Sequence, residues 1–226
     1  MMSARRTNSR AAELELVREL ARTALAALER ERQRIDGLNV YPVPDGDTGT
    51  NLVATMRALV EELEQTEPAS REHLRANLAR ALLMQARGCS GVVLSQIVRG
   101  LVEAVPASGP VDGRALAAML ERARDAARAA VARPAEGTIL TLMRELTREA
   151  RSLKRVPMPV GGRLYALVAR GEAALERTRE QNPVLREAGV VDAGTAGVLV
   201  CLRAIARVVS GADAAGEARR LRAVSS

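Results

Sequence analysis

The chain contains no tryptophan and no phenylalanine, and its only tyrosines are Tyr41 and Tyr165. A core built without those rings must be aliphatic. Strands draw on aromatic and β-branched residues. Here Val and Ile fall at helical spacing among Leu, Ala, Arg, Glu and Met, which are good helix formers. The absence also removes the stacking platforms that single-stranded nucleic acids use. Lysine is nearly missing: Lys154 is the single one, and every other basic side chain is arginine. The net charge is +7, yet Arg and Glu interleave, as in Glu121-Arg122-Ala123-Arg124-Asp125. Mixed signs make no basic stripe, so no nucleic-acid partner is expected. Cys89 and Cys201 show neither metal-ligand spacing nor a disulfide framework. Residues 1–10 are polar and Arg-rich, unlike a secretory signal. No run approaches the ~20 apolar residues of a membrane span. A cytoplasmic protein with no integral membrane segment is the expectation. His73, the sole histidine, reads as a surface residue.

What is present is helical periodicity. Eight segments carry apolar residues at i, i+3 and i+4. They begin near residue 11, after Gly49, near Arg71, at Ser90, after Asp112, near Thr138, near Arg163 and near Thr195. Representative core positions are Leu28, Leu52, Leu78, Ile97, Leu120, Leu142, Leu167 and Leu202. The expected organisation is a polar, flexible segment over 1–10, one domain over 11–210, and a flexible tail or linker stub over 211–226. Short connections make consecutive helices antiparallel, which predicts an all-α, eight-helix, up-and-down barrel or bundle.

In such an array alternate junctions share one end. The second, fourth and sixth junctions are proline-rich and offer little chemistry. The first carries Asn39, Asp45, Gly46, Asp47, Thr48, Gly49 and Asn51. The third is Arg87-Gly88-Cys89-Ser90-Gly91, the fifth Pro134-Ala135-Glu136-Gly137-Thr138, and the seventh Gly189-Val190-Val191-Asp192-Ala193-Gly194-Thr195. Nearly every glycine, aspartate and hydroxyl of chemical interest falls at one end.

Glycine-rich loops that run into helix N-termini present unpaired N–H groups and a positive dipole end, which suits phosphate. Ser90, Thr138 and Thr195 would otherwise be ordinary N-caps. Asp45 and Asp47 either cap the second helix or hold Mg²⁺, which takes hard oxygen ligands and completes its shell from waters and phosphates. The Gly-x-x-x-x-Gly-Lys-Ser/Thr loop and the Gly-x-Gly-x-x-Gly turn are both absent. Metal and helix N-termini would have to do the work that lysine does in P-loop enzymes.

The stretch Leu38-Asn39-Val40-Tyr41-Pro42-Val43-Pro44-Asp45-Gly46-Asp47-Thr48-Gly49-Thr50-Asn51 resembles the opening motif of the DhaL-type domain of dihydroxyacetone kinases. It is most similar to the version at the N-terminus of bacterial fatty acid kinases. Three further stretches, Ala86 to Gln96, Pro134 to Thr141 and Glu187 to Gly194, resemble the later motifs in order. The resemblance implies an eight-helix barrel with ATP at one end and one or two Mg²⁺ ions. It implies Asp45, Asp47 and Asn39 as metal ligands, with Asn39 where the dihydroxyacetone branch has a third aspartate. Thr48, Asn51, Ser90 and Gly91 would contact phosphates. Gly88, Thr138, Leu140, Met143, Asp192 and Gly194 would surround the nucleotide. Cys89 stands where the fatty-acid branch usually has asparagine. The implied activity is γ-phosphoryl transfer to an acceptor presented by a separate subunit. That acceptor is a fatty-acid carboxylate on an acyl-binding protein or, alternatively, dihydroxyacetone on a sugar-binding partner. A nucleotide-binding regulatory module without turnover is a further alternative, and a homodimer is an assembly left open.

Overall fold

The computed structural model describes residues 2–67, 72, 76, 78, 80 and 86–224. Among the described residues the fold is all-α, with eight helices and no strand. They are α1 (Met2–Gly37), α2 (Thr48–Gln65), α3 (Gly88–Glu103), α4 (Gly113–Ala129), α5 (Ile139–Leu153), α6 (Val160–Gln181), α7 (Pro183–Ala188) and α8 (Ala193–Val224). The helix expected from Arg71, together with His73, falls mainly outside the described residues. Leu78, its expected core residue, is buried.

Several starts follow local capping chemistry. Asp112 accepts the N–H groups of Arg114 and Ala115 to open α4, and Thr138 accepts that of Leu140 to open α5; both are side-chain N-caps. The short α7 has Asn182 as N-cap, proline at its first position and left-handed Gly189 at its end, the asymmetry that stops and starts helices sharply. Sequence periodicity misses it because six residues are too few for an apolar stripe. α1 and α8 also run further than expected, back to Met2 and on to Val224. Both extensions are rich in Ala and Arg, whose helical propensity is high.

The seven longer helices close a ring. α1 packs on α2 and α8, α2 on α3, α3 on α4, α4 on α5, α5 on α6, and α6 on α8. Leu28, Ile35, Leu52, Leu142, Leu167 and Leu199 are fully buried, and small Ala123, Ala127 and Ala206 let helix axes approach. Truncating a fully buried leucine of this kind to alanine costs about 2–5 kcal/mol. The segment Ala193–Gly211 is long and apolar enough to cross a membrane, contrary to the expectation of no such run, but 61% of it is buried inside the protein. Its apolar character serves the core.

Two polar staples hold the ring away from the glycine-rich end. The buried Arg163 guanidinium donates to the carbonyls of Leu153 and Val156, satisfying acceptors that α5 leaves orphaned at its C-terminus. The nearly buried Glu145 carboxylate ties α5 to α6 through Arg170 and Arg177, with Arg148 alongside.

Candidate functional site

The first, third, fifth and seventh junctions converge as the alternation of helices requires. Residues from all four line one cavity of about 220 Å³. Asn39, Asp45, Asp47, Thr48, Asn51, Gly88, Ser90, Thr138, Leu140, Asp192 and Gly194 all border it. Two expected residues do not. Met143 is buried in the core. Gly91 faces α2, where a Cβ would lie 2.5 Å from Thr55 Oγ1. Its role is close helix packing.

The acidic wall is built around the start of α2. Asn39 Nδ2 donates to the Val43 carbonyl at 2.8 Å, and Oδ1 accepts the N–H groups of Asp47 and Thr48 at 3.2 and 3.1 Å. From the end of α1, Asp36 accepts the Thr50 N–H and hydroxyl, each at 2.9 Å. These two side chains do the capping. Asp47 occupies the N-cap position yet makes no side-chain cap bond. Its carboxyl is raised above the ordinary range, chiefly by desolvation and further by the charges of Asp45 and Asp36, against a hydrogen bond from Asn51. The reading of Asp45 and Asp47 as helix caps is thereby excluded for Asp47. A pair of carboxylates thus borders the cavity. No group of three or more His, Cys, Asp or Glu side chains suited to a metal occurs among the described residues, and two carboxylates by themselves suit an ion that draws its remaining ligands from phosphate and water.

The donor wall is the start of α3. Arg87, at the N-cap, makes no side-chain cap bond. The N–H groups of Gly88, Cys89 and Ser90 find no acceptor among the described residues, and all three residues line the cavity. Gly88 has φ +61°, and a Cβ there would sit 2.2 Å from Asn51 Nδ2. Only glycine fits this turn.

The other two helix starts carry side-chain caps. Thr138 caps α5 and donates its hydroxyl to the Ala135 carbonyl at 2.9 Å. Asp192, not Thr195, caps α8: its carboxylate accepts both the N–H and the hydroxyl of Thr195 at 2.7 Å. The Ile139 N–H at the start of α5 also favours its charged form. Burial pushes its pKa up to about 6, against the opposing hydrogen bonds from Thr195 and Ile139. Gly194 allows that junction, since a Cβ would lie 2.5 Å from Ile139 Cδ1. Of the four helix starts at this end, α3 is the one left without a side-chain cap, and the Gly194 N–H of α8, which also borders the cavity, finds no acceptor among the described residues either.

The lining also includes residues that sequence reasoning missed: Tyr41, Val43, Val93, Val131, Arg133 and Ile139 among them. Asp36, which organises the site from behind, was missed as well. The aliphatic ones carry no chemical signature, and Arg133 and Asp36 resemble the many solvated charges of the chain.

Comparison with known proteins agrees with this geometry. A family model described as the DAK2 domain matches residues 42–207. The protein YloV of Bacillus subtilis (strain 168) is 40% identical over 172 residues, covering 76% of this chain and 31% of YloV. An uncharacterised protein of Staphylococcus haemolyticus (strain JCSC1435) is 37% identical over the same length, again with 76% and 31% covered. The chain therefore spans about a third of these relatives. Among solved structures, the dihydroxyacetone kinase from C. freundii in complex with AMP-PNP and Mg²⁺ superposes with a TM-score of 0.63 at 22% identity, over 85% of this chain and 34% of that one. At that identity the likeness is one of fold. The match over most of the chain, on a fold and four junctions of this kind, places the protein in the DAK2 domain family, the DhaL-type group that its motifs resemble.

Proposed function

We propose that this chain binds Mg-ATP in the cavity and transfers the γ-phosphate to an acceptor held by another subunit or domain. The observation that carries this reading is the pairing of two walls in one cavity: the carboxylate of Asp47, which makes no cap bond, with that of Asp45 beside it, and the open donors of α3. The first suits a hard cation and the second suits phosphate oxygens. The solved dihydroxyacetone kinase, with AMP-PNP and Mg²⁺, adds support from a protein of the same fold.

Asp45 and Asp47 would hold the metal. A bound Mg²⁺ supplies charge neutralisation at the phosphate oxygens. Asn39 would serve it mainly through the loop, because direct coordination by its oxygen means releasing the Asp47 and Thr48 N–H groups. One ion is therefore the simpler occupancy. The N–H groups of Gly88, Cys89 and Ser90, with the Ser90 hydroxyl, would hold oxygens of the polyphosphate, and Thr48 and Asn51 complete that side. Thr138, Leu140 and Gly194 would border the base and ribose. Asp192 would act by fixing the start of α8. Catalysis would rest on position and charge.

No described side chain in the lining stands ready as a general base, since Asp192 is committed to the N–H and hydroxyl of Thr195. A fatty-acid carboxylate, ionised at neutral pH, needs none. We therefore favour an acyl acceptor on an acyl-binding partner. A dihydroxyacetone-type acceptor is the second reading, favoured by the fold match, and would require the partner to bring its own base. Calorimetric titration of Mg-ATP, repeated with EDTA and with Asp47→Ala, tests the site. The variant should lose at least about tenfold in affinity, or ~1.4 kcal/mol. Binding that ignores both metal and mutation removes the acidic loop from the mechanism. Reconstitution with acyl-binding or sugar-binding partners then separates the acceptors. Nucleotide binding with no transfer to either would favour a regulatory module.

A further inference from the structure

We propose that Arg133 covers the nucleobase, its guanidinium lying flat over the exposed face of the base at the cavity mouth. This rests on the nucleotide reading above and concerns the end of the cavity that the reading leaves least specified. Arg133 is the one basic side chain in the lining. It is exposed and makes no hydrogen bond or ion pair with another described residue.

Its position separates it from the phosphate end. Arg133 sits instead in the loop between α4 and α5, among Val131, Ala135, Ile139 and Leu140 of the same lining. That wall is aliphatic. Its polar side chains are committed: the Thr138 hydroxyl bonds to Ala135 and Leu140, and Asp192 is bound by Thr195. The loop is pinned on its outer side, where Glu136 takes both arms of Arg144 at 2.7 Å. That pairing leaves no carboxylate there for Arg133.

An apolar slot can hold one face of a base, but the other face needs a flat, polarisable cover. Aromatic rings usually supply it, and this chain has neither Phe nor Trp. Tyr41, the one ring in the lining, belongs to the acidic loop. A guanidinium is planar and delocalised and stacks on π faces, which the compact ammonium of lysine does not do in the same way.

The test is a ligand series against two variants. Calorimetry would measure Mg-ATP, Mg-ADP and AMP binding to the full chain, to Arg133→Ala and to Arg133→Lys. A stacking role predicts a loss of about five- to tenfold in affinity that is the same for all three nucleotides. It also predicts that lysine fails to restore it. A loss that grows with phosphate number, or full rescue by lysine, would overturn stacking and assign a charge role instead. Unchanged affinity in both variants would remove Arg133 from the site. If the unmodified chain binds none of the three, the nucleotide reading itself falls, and this inference falls with it. Arg133 is exposed, so neither variant should unfold, and thermal melts check this.

Discussion

An aspartate at a helix start ordinarily serves the helix, as Asp112 does for α4. Asp47 does not: Asp36 accepts the Thr50 N–H that it would have capped, and Asn39 accepts that of Thr48. The division of labour matters for function. A carboxylate that accepts backbone donors has its lone pairs engaged, while one that accepts few leaves its oxygens open to a ligand. The two cysteines show a similar contrast. Burial pushes the Cys201 thiol up to about 12, and a buried thiol that far from ionising does not react. Cys89 is exposed and lines the cavity beside the free donors of α3. Iodoacetamide should therefore label the native protein at Cys89 alone, and saturating Mg-ATP should slow that labelling. Peptide mass mapping with and without nucleotide reads both effects. Labelling at Cys201, or a rate indifferent to Mg-ATP, would contradict this placement of the ligand.

At the scale of the element, α3 bears two glycines with different tasks. Gly88 shapes the donor turn, where positive φ and the nearness of Asn51 exclude a side chain. Gly100 lies against α4, where a Cβ would meet Ala123 Cα at 2.6 Å. Substituting each with alanine should separate site from scaffold. Gly100→Ala overpacks the helix pair and should cost about 1–3 kcal/mol, lowering Tm by roughly 2–4 °C per kcal/mol for a chain of this size. Its nucleotide affinity should be unchanged, since Gly100 is far along the helix from the lining. Gly88→Ala should lower nucleotide affinity about tenfold or more, with the strain of a left-handed alanine added to the Tm loss. Equal affinity losses in both would mean that the whole helix, and not its first turn, sets binding. These roles also show what was legible in the sequence. Apolar spacing placed the long helices, and junction parity placed the site, because both depend on pattern alone. Which helix start is left without a side-chain cap could not be read. That depends on Asn39, Asp36 and Asp192 reaching N–H groups on other turns or other helices. The inward position of Met143 was hidden because packing decided it, and the short α7 because six residues carry no periodic stripe.

At the scale of the molecule, the ring is tied where its last helix returns to the site, and the tie is a single buried carboxylate. Asp192 caps the start of α8 through Thr195, and Thr178 of α6 accepts its N–H at 3.0 Å. Its pKa rises from 3.8 to about 6 in the folded protein. Between those values the folded state keeps a proton that the unfolded chain has released. Stability from this group is therefore fully present below about pH 4 and declines as pH rises through 6. The decline is at most about 3 kcal/mol, from the linkage between pKa and folding. Surface carboxylates such as Glu64 and Glu121, held low by Arg22 and Arg151, act in the opposite sense and at lower pH. They cancel when a variant is compared with its parent. Asp192→Asn is neutral at every pH and keeps an oxygen for one of the helix starts. Urea unfolding of both proteins at pH 4.5 and 7.5 should show the variant gaining on the parent, by about 1–2 kcal/mol, as pH increases. Parallel pH dependences would mean that Asp192 keeps its charge throughout, its donors outweighing burial. The closure of the ring would then be as firm at neutral pH as in acid.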